Sequence, residues 1–211
     1  MLKFSDVESV KIACWVSAVD FDAHKQSLFF IHGSGSDHTA WSHQYARLHK
    51  KYNIVALDLP GHGHSGGSGE SDVKAYCLWI RKLLDILDLK NTVLIAHSLA
   101  KENRAKLSDP LRRSITQSKV DILYGDLVAC NNLDLTEEIC KINVPACIIC
   151  GAEDKMTPPD FSRQLAANIN GARLEIVTGA GHMVMLERPD EFNMFLDKFA
   201  ASISAVVNRK D

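Results

Sequence analysis

The chain has 211 residues, 46% of them hydrophobic and 24% charged, and a formal net charge of −2. This balance is typical of one globular domain, and the scattered lysines and arginines argue against a nucleic-acid partner. The N-terminal residues lack the apolar core of a signal peptide, and apolar runs such as residues 28–31 are too short to span a bilayer. We therefore expect a cytoplasmic protein with no membrane partner.

Short β-rich runs alternate with helical patterns in the first half of the chain. Residues 10–19 predict a weak first strand or a pair of strands. Continuous apolar runs predict three strands that are buried on both faces, as in a parallel sheet: Ser27–Ile31, Asn53–Leu57 and Thr92–Ala96. A weak helix is predicted over residues 41–48. A clearer amphipathic helix starts at Ser71, which is a fair N-cap.

The last third repeats this alternation. Strands are predicted over residues 146–150 and 173–177, and helices over residues 159–169 and from Pro189. Strands that alternate with helices indicate an α/β fold, a mostly parallel sheet flanked by helices. The middle of the chain has no apolar strand and predicts two helices, from the apolar residues Val120, Leu123, Leu127 and Val128 and over residues 135–140.

A candidate nucleophile stands where the third buried strand ends. Ser98 lies in Ala96-His97-Ser98-Leu99-Ala100. A strand that turns sharply into a helix exposes a serine and needs small residues two positions away on both sides, usually glycine, as in G-x-S-x-G. Alanine at both positions is sterically permitted but is a weaker signal, and a serine at a strand end is common.

Two further polar residues strengthen this interpretation. Asp154 and His182 both follow predicted strands in glycine-containing turns. A serine hydroxyl needs a base to take its proton, and the base needs an acid that fixes its tautomer. The alternatives, an N-cap role for Asp154 and an exposed turn residue for His182, explain each residue alone but not their order with Ser98.

These motifs together resemble the α/β-hydrolase superfamily, in particular its esterase and carbon–carbon-bond hydrolase members. They comprise His32-Gly33, Asp58-Leu59-Pro60-Gly61-His62-Gly63-His64-Ser65, Ala-His-Ser-Leu-Ala, Gly-Ala-Glu-Asp before Pro158-Pro159, and Gly-Ala-Gly-His followed by Glu187-Arg188-Pro189. The resemblance implies Ser98 as nucleophile, His182 as base and Asp154 as acid. It also implies an oxyanion hole formed by the backbone N–H groups of Ser34 and Leu99. The implied substrate is a small molecule, and the pocket candidates are His32, Gly33, His97 and Met183.

Two patterns admit a metal-binding interpretation. His62 and His64 could form a metal pair, but in this family the same turn reads Pro-Gly-x-Gly-x-Ser and the histidines are bystanders. Cys147 and Cys150 could form half of a zinc site, but no second pair accompanies them and they lie in a predicted buried strand. We therefore expect no metal and no cofactor.

The chain departs from the family pattern directly after the sharp turn that carries Ser98. Leu99-Ala100 is followed by the polar residues 101–106. At this point members of the family continue into a buried helix rich in glycine and alanine, then a further strand and a helical lid. We expect one α/β-hydrolase-like domain over residues 1–211 with a reduced helical insert, a remnant lid over residues 101–144.

Two interpretations of the function stay open. One is a serine hydrolase of small ester, thioester or activated carbon–carbon substrates, and the other is a degenerate or truncated homologue that binds a small molecule or has no activity. A homodimer is also left open.

Overall fold

The computed structural model describes residues 1–89, 91–97 and 120–207. The chain divides into two compact units, Met1–Leu133 and Asp134–Asp211. Ser98, Leu99 and the first part of the predicted lid remnant lie outside the described residues, so the predictions made for them are not tested.

The first unit is built on a five-stranded sheet. Its strands are β1 Leu2–Val7, β2 Val10–Val16, β3 Ser27–Ile31, β4 Asn53–Leu57 and β5 Thr92–Ala96. The order is β1-β2-β4-β3-β5, with β3 parallel to both β4 and β5 and with β2 antiparallel to β1 and β4. Every residue of β4 and all but the last of β3 are buried. The three predicted strands are confirmed with the predicted bounds, but the prediction of burial on both faces is wrong for β5, where Leu94 is 54% exposed.

The N-terminal hairpin corrects the sequence interpretation. The sequence predicted a strand or pair over residues 10–19, whereas β1 already begins at Leu2 and pairs with β2 along its whole length. Glu8 and Ser9 make the turn with φ of 48° and 68°. Tight hairpin turns with positive φ usually carry glycine or asparagine, so this turn has no sequence signal.

The described part of the first unit also contains helices: a 3-10 turn over His38–Trp41 and α1 Ser42–Leu48 follow β3, α2 Val73–Leu87 follows β4, and α3 spans Val120–Asn131. The predicted N-cap of α2 was wrong by one residue: Asp72, not Ser71, accepts a hydrogen bond from the Lys74 N–H. An aspartate carboxylate is as good a cap as a serine hydroxyl, so the two adjacent candidates could not be separated by residue type.

The second unit contains a parallel pair of strands and four helices. The strands are β6 Cys147–Gly151 and β7 Arg173–Val177, and the helices are α4 Thr136–Ile139, α5 Pro159–Asn168, α6 Val184–Glu187 and α7 Pro189–Val207. Pro159 starts α5 and Pro189 starts α7, where the fixed φ of proline suits the first helical turn. Gly171, at φ 70°, makes the turn from α5 into β7.

Together these elements confirm the α/β class, with mostly parallel strand pairs flanked by helices. The described residues 120–146 contain no strand, as predicted, while the same prediction for residues 98–119 lies outside the described residues. None of the helices described is both long enough and apolar enough to cross a membrane. The single-domain organisation and the lid remnant stay predictions.

Candidate active site

An imidazole–carboxylate pair occupies the loops that follow β6 and β7. His182 Nδ1 lies 2.8 Å from Asp154 Oδ2. The two side chains are only 10% and 5% exposed. A carboxylate at this position keeps the proton on Nδ1 and so turns Nε2 into the basic nitrogen, the arrangement that a general base requires.

The Asp154 carboxylate is held by the turn that follows it. Its Oδ1 accepts hydrogen bonds from the backbone N–H groups of Met156 at 2.8 Å and Thr157 at 3.0 Å. Its Oδ2 accepts a third bond, at 2.8 Å, from the Thr157 hydroxyl. Burial alone would raise the pKa of Asp154, but the hydrogen bonds from Thr157, His182 and Met156 outweigh burial and lower it. The carboxylate is therefore ionised at neutral pH and available to His182.

Thr157 is a site residue that the sequence interpretation missed. Its hydroxyl lies 3.2 Å from His182 Nδ1 as well as bonding Asp154. The signal that could have found it is the spacing Asp-x-x-Thr, because an aspartate often binds the backbone and side chains two and three residues on. The alternative N-cap role for Asp154 is wrong, since Pro158 precedes the first residue of α5.

Glutamate and glycine residues shape the loop that carries His182. The Glu187 carboxylate accepts hydrogen bonds from the backbone N–H groups of Gly181 at 2.8 Å and Met183 at 3.2 Å, on either side of the histidine. A Cβ at Gly151 would lie 2.2 Å from the Gly181 carbonyl oxygen, so only glycine allows the end of β6 to approach this loop. These contacts fix the backbone from which the imidazole projects.

The loop after β3 carries the expected oxyanion donor. Ser34 is 4% exposed, and its hydroxyl donates to Asp126 Oδ2 at 2.9 Å. The second expected donor, Leu99, and the nucleophile Ser98 lie outside the described residues. The structure thus brings Asp154 and His182 together, while the contact of Ser98 with His182 and the oxyanion role of Ser34 and Leu99 stay predictions.

Four residues were expected to line the pocket. His32 is fully buried, donates from Nδ1 to the Gly33 carbonyl at 2.8 Å and accepts at Nε2 from the Leu59 N–H at 3.0 Å. Burial, together with nearby His62, lowers the pKa of His32 to about 4, so its ring is neutral. Of the other three candidates, Gly33 supplies the carbonyl that His32 binds, the His97 ring packs edge-on against Trp41, and Met183 is 7% exposed. Their pocket role stays a prediction.

Asp58 organises the glycine-rich loop after β4. Its Oδ1 accepts from the backbone N–H and the ring Nδ1 of His38, at 2.7 and 2.8 Å, and its Oδ2 accepts from the His64 N–H at 2.9 Å. These three residues could hold a metal, because one ligand atom from each lies within 4.8 Å of the others in the described part of the chain. Hydrogen bonds already account for the arrangement, since they use both carboxylate oxygens of Asp58.

The two cysteines of β6 do not form a zinc half-site of the usual kind. Cys147 and Cys150 stand three positions apart on one strand. Alternate residues of a strand point to opposite faces, so their thiols diverge. Burial raises the pKa of Cys147 to about 11, which disfavours the thiolate that metals bind. This supports the core-packing interpretation.

Comparison with known proteins points to one superfamily. A family model described as the alpha/beta hydrolase family matches residues 28–100. An uncharacterized protein of Mycobacterium tuberculosis is 35% identical over 74 residues, which are 35% of this chain and only 22% of that protein's length. A solved thermophilic esterase is 28% identical with a TM-score of 0.80, covering 96% of this chain and 99% of that one. The enol-lactonase from Burkholderia xenovorans LB400 has a TM-score of 0.81 at 19% identity, covering 94% and 100%.

The chain belongs to the α/β-hydrolase fold superfamily. The esterase and the enol-lactonase are its structural neighbours.

Proposed function

We propose that this chain is a serine hydrolase that cleaves small ester, thioester or activated carbon–carbon substrates with Ser98, His182 and Asp154. The observation that carries the proposal is the 2.8 Å contact between His182 Nδ1 and the ionised Asp154 carboxylate. The esterase and enol-lactonase among its neighbours support an ester or lactone as the substrate class. Both residues stand in loops at the carboxyl ends of strands, where α/β enzymes place their catalytic groups.

For an ester the proposed reaction has two halves. His182 Nε2 takes the Ser98 proton while the Ser98 oxygen bonds the substrate carbonyl carbon, and the resulting oxyanion accepts N–H bonds from Ser34 and Leu99. The C–O bond to the alcohol then breaks, and the alcohol leaves with the proton from His182. Water then loses a proton to His182 and attacks the acyl carbon. The bond from this carbon to the Ser98 oxygen breaks, the acid product leaves, and His182 returns the proton to Ser98. Asp154 stays ionised throughout and stabilises the imidazolium.

One observation favours a second candidate function. In the described residues β5 pairs only with β3, and β6 pairs only with β7. Between the strands that correspond to β5 and β6, members of the family have a helix directly after the nucleophile and a further strand. These elements align the nucleophile with the base. A homologue without them could bind a small molecule yet fail to catalyse, because catalytic groups must be held within about 0.5 Å of their working positions.

Labelling with a fluorophosphonate separates the two candidates. The probe forms a covalent bond only with a serine that a base activates, so we expect wild-type protein to take one label, located at Ser98 by peptide mass spectrometry. Ser98→Ala and His182→Ala should abolish labelling. His24→Ala, at an exposed histidine of the first unit, is the matched control and should label like wild type. Folded wild-type protein that takes no label would rule out the hydrolase and favour the binding module.

A further inference from the structure

A second buried imidazole–carboxylate pair lies in the first unit. Asp126 of α3 and His62 of the loop after β4 are both almost fully buried, and His62 Nε2 lies 2.9 Å from Asp126 Oδ2. The other ring nitrogen, Nδ1, lies 3.1 Å from the Pro60 carbonyl oxygen. A carboxylate can only accept, so the ring donates from Nε2 to Asp126.

The Asp126 carboxylate collects donors from three separate parts of the first unit. Besides His62, its Oδ2 accepts from the Ser34 hydroxyl at 2.9 Å and from the Gly35 N–H at 3.2 Å, and its Oδ1 accepts from the Tyr76 hydroxyl at 2.6 Å. An ionised carboxylate accepts only, and here each partner is a donor. Burial alone would raise the pKa of Asp126, but the bonds from His62, Tyr76 and Ser34 lower it.

Helix α3 has a second, apolar attachment to the loop after β4. A Cβ at Gly61 would lie 2.7 Å from Ile122 Cδ1, and one at Gly69 would lie 3.1 Å from Ile122 Cγ2. Gly125 approaches the Glu70 carbonyl oxygen equally closely, since a Cβ there would lie at 3.0 Å. Docking of α3 therefore does not depend on Asp126 alone, and the carboxylate is available for a different task.

Two of the donors to Asp126, Ser34 and Gly35, belong to the loop after β3. Ser34 and Gly35 lie in the segment whose backbone N–H is the proposed oxyanion donor, and Gly35 has φ of 64°. We propose that Asp126 is a positioning residue, which holds residues 33–35 through Ser34 Oγ and the Gly35 N–H so that the Ser34 N–H is aimed at the developing oxyanion. This rests on the proposed function, and it gives the lid-remnant helix α3 a role in catalysis without contact with substrate.

The matched comparison is Asp126→Asn against Tyr76→Phe. Asp126→Asn removes the charge that Ser34 and Gly35 bind, whereas Tyr76→Phe removes one bond to the opposite carboxylate oxygen. Asparagine keeps the size of the side chain, and the contacts of Ile122 keep α3 in place. If Asp126→Asn still fails to fold, Ser34→Ala replaces it, because this substitution deletes only the hydroxyl and keeps the backbone N–H.

Two readouts are measured on folded protein. Amide hydrogen exchange of the peptide covering residues 32–37 should speed up about tenfold or more in Asp126→Asn and Ser34→Ala, and little in Tyr76→Phe. The second-order rate of fluorophosphonate labelling should fall at least about tenfold in the first two variants, a part of the loss expected when an oxyanion donor is removed. Tyr76→Phe should keep the wild-type rate while lowering the unfolding temperature.

The outcomes separate this inference from the proposed function. If wild-type protein takes no label, the hydrolase proposal fails, and hydrogen exchange alone decides whether Asp126 holds the loop. If wild type is labelled, unchanged exchange and labelling in Asp126→Asn would overturn the positioning role. Losses of labelling that follow thermal stability equally in Asp126→Asn and Tyr76→Phe would also overturn it, because a purely structural role predicts that result.

Discussion

Two imidazole–carboxylate pairs of nearly equal length lie in different surroundings in this protein. His182–Asp154 spans 2.8 Å and His62–Asp126 spans 2.9 Å. The first is held by a local turn of a few residues and keeps its imidazole 10% exposed, while the second is enclosed at 0% exposure and joins segments 64 residues apart. The contact distance is therefore uninformative about role. The pairs differ instead in exposure and in the chain separation of the segments that they join.

The largest expected difference between the pairs is in stability. His62→Ala removes a donor from the fully buried Asp126 carboxylate, and losing a hydrogen bond to a buried charged group costs about 1.5–3 kcal/mol. His182→Ala removes one hydrogen bond from a carboxylate that keeps its bonds to Thr157 and Met156, a loss of about 0.5–1.5 kcal/mol. Urea unfolding of both variants measures the difference. Equal losses would show that the two pairs are equally structural.

The second prediction concerns acid unfolding. Asp126 has a pKa below the ordinary carboxyl value of 3.8 in the folded protein, so the unfolded chain binds more protons as the pH falls. Its stabilising contribution is complete above that ordinary value and is lost as the pH falls through the folded pKa, at about 1.4 kcal/mol per pH unit for one extra proton. Unfolding free energies measured from pH 6 down to 2.5 should fall less steeply in Asp126→Asn than in wild type.

Asp154→Asn is the matched control for that experiment. The pKa of Asp154 is lowered as well, but the His182–Asp154 pair is more exposed than the His62–Asp126 pair. Solvent screens an exposed pair more, so we expect a smaller change of slope. A larger change in Asp154→Asn than in Asp126→Asn would show that the His182–Asp154 pair contributes more to stability than the His62–Asp126 pair.

The smallest expected effect concerns the threonine beside the His182–Asp154 pair. Thr157→Val keeps the shape of the side chain but deletes the hydroxyl that bonds Asp154 and lies 3.2 Å from His182 Nδ1. We expect fluorophosphonate labelling to slow about three- to tenfold, the effect of one hydrogen bond of about 1 kcal/mol. Thr178→Val, at an exposed position, should leave the labelling rate unchanged. Equal rates in both variants would show that Thr157 does not orient the acid.

Elements with a strong local pattern were predictable. The apolar runs of β3, β4 and β5 were placed to the residue, and Asp154 and His182 were recognised from glycine turns at strand ends. Strand β1 was missed because the turn at Glu8 and Ser9 uses positive φ without glycine or asparagine. Such a turn is stabilised by the paired strands around it, which are not a local property of the sequence.

Helix α3 shows where pattern reasoning fails. Its apolar residues predicted a helix, which is confirmed, with Val120 and Leu123 among those that define the apolar face. The structure buries Ile122, Asp126 and Ala129 instead, and Val120 is 81% exposed. A buried aspartate looks like a surface residue in any hydrophobicity pattern, because its burial depends on donors that the pattern does not contain.

By itself the sequence determined the fold class, the loops that carry chemistry and the candidate triad, because strand periodicity and glycine turns are local features. Only the tertiary structure decided that Asp126 meets His62. Asp126 can be buried and ionised only where Ser34, Gly35, His62 and Tyr76 converge, and these donors lie 50 to 92 residues away along the chain. That convergence is a property of the packed core, since each donor must be within hydrogen-bond distance to repay the desolvation of the charge.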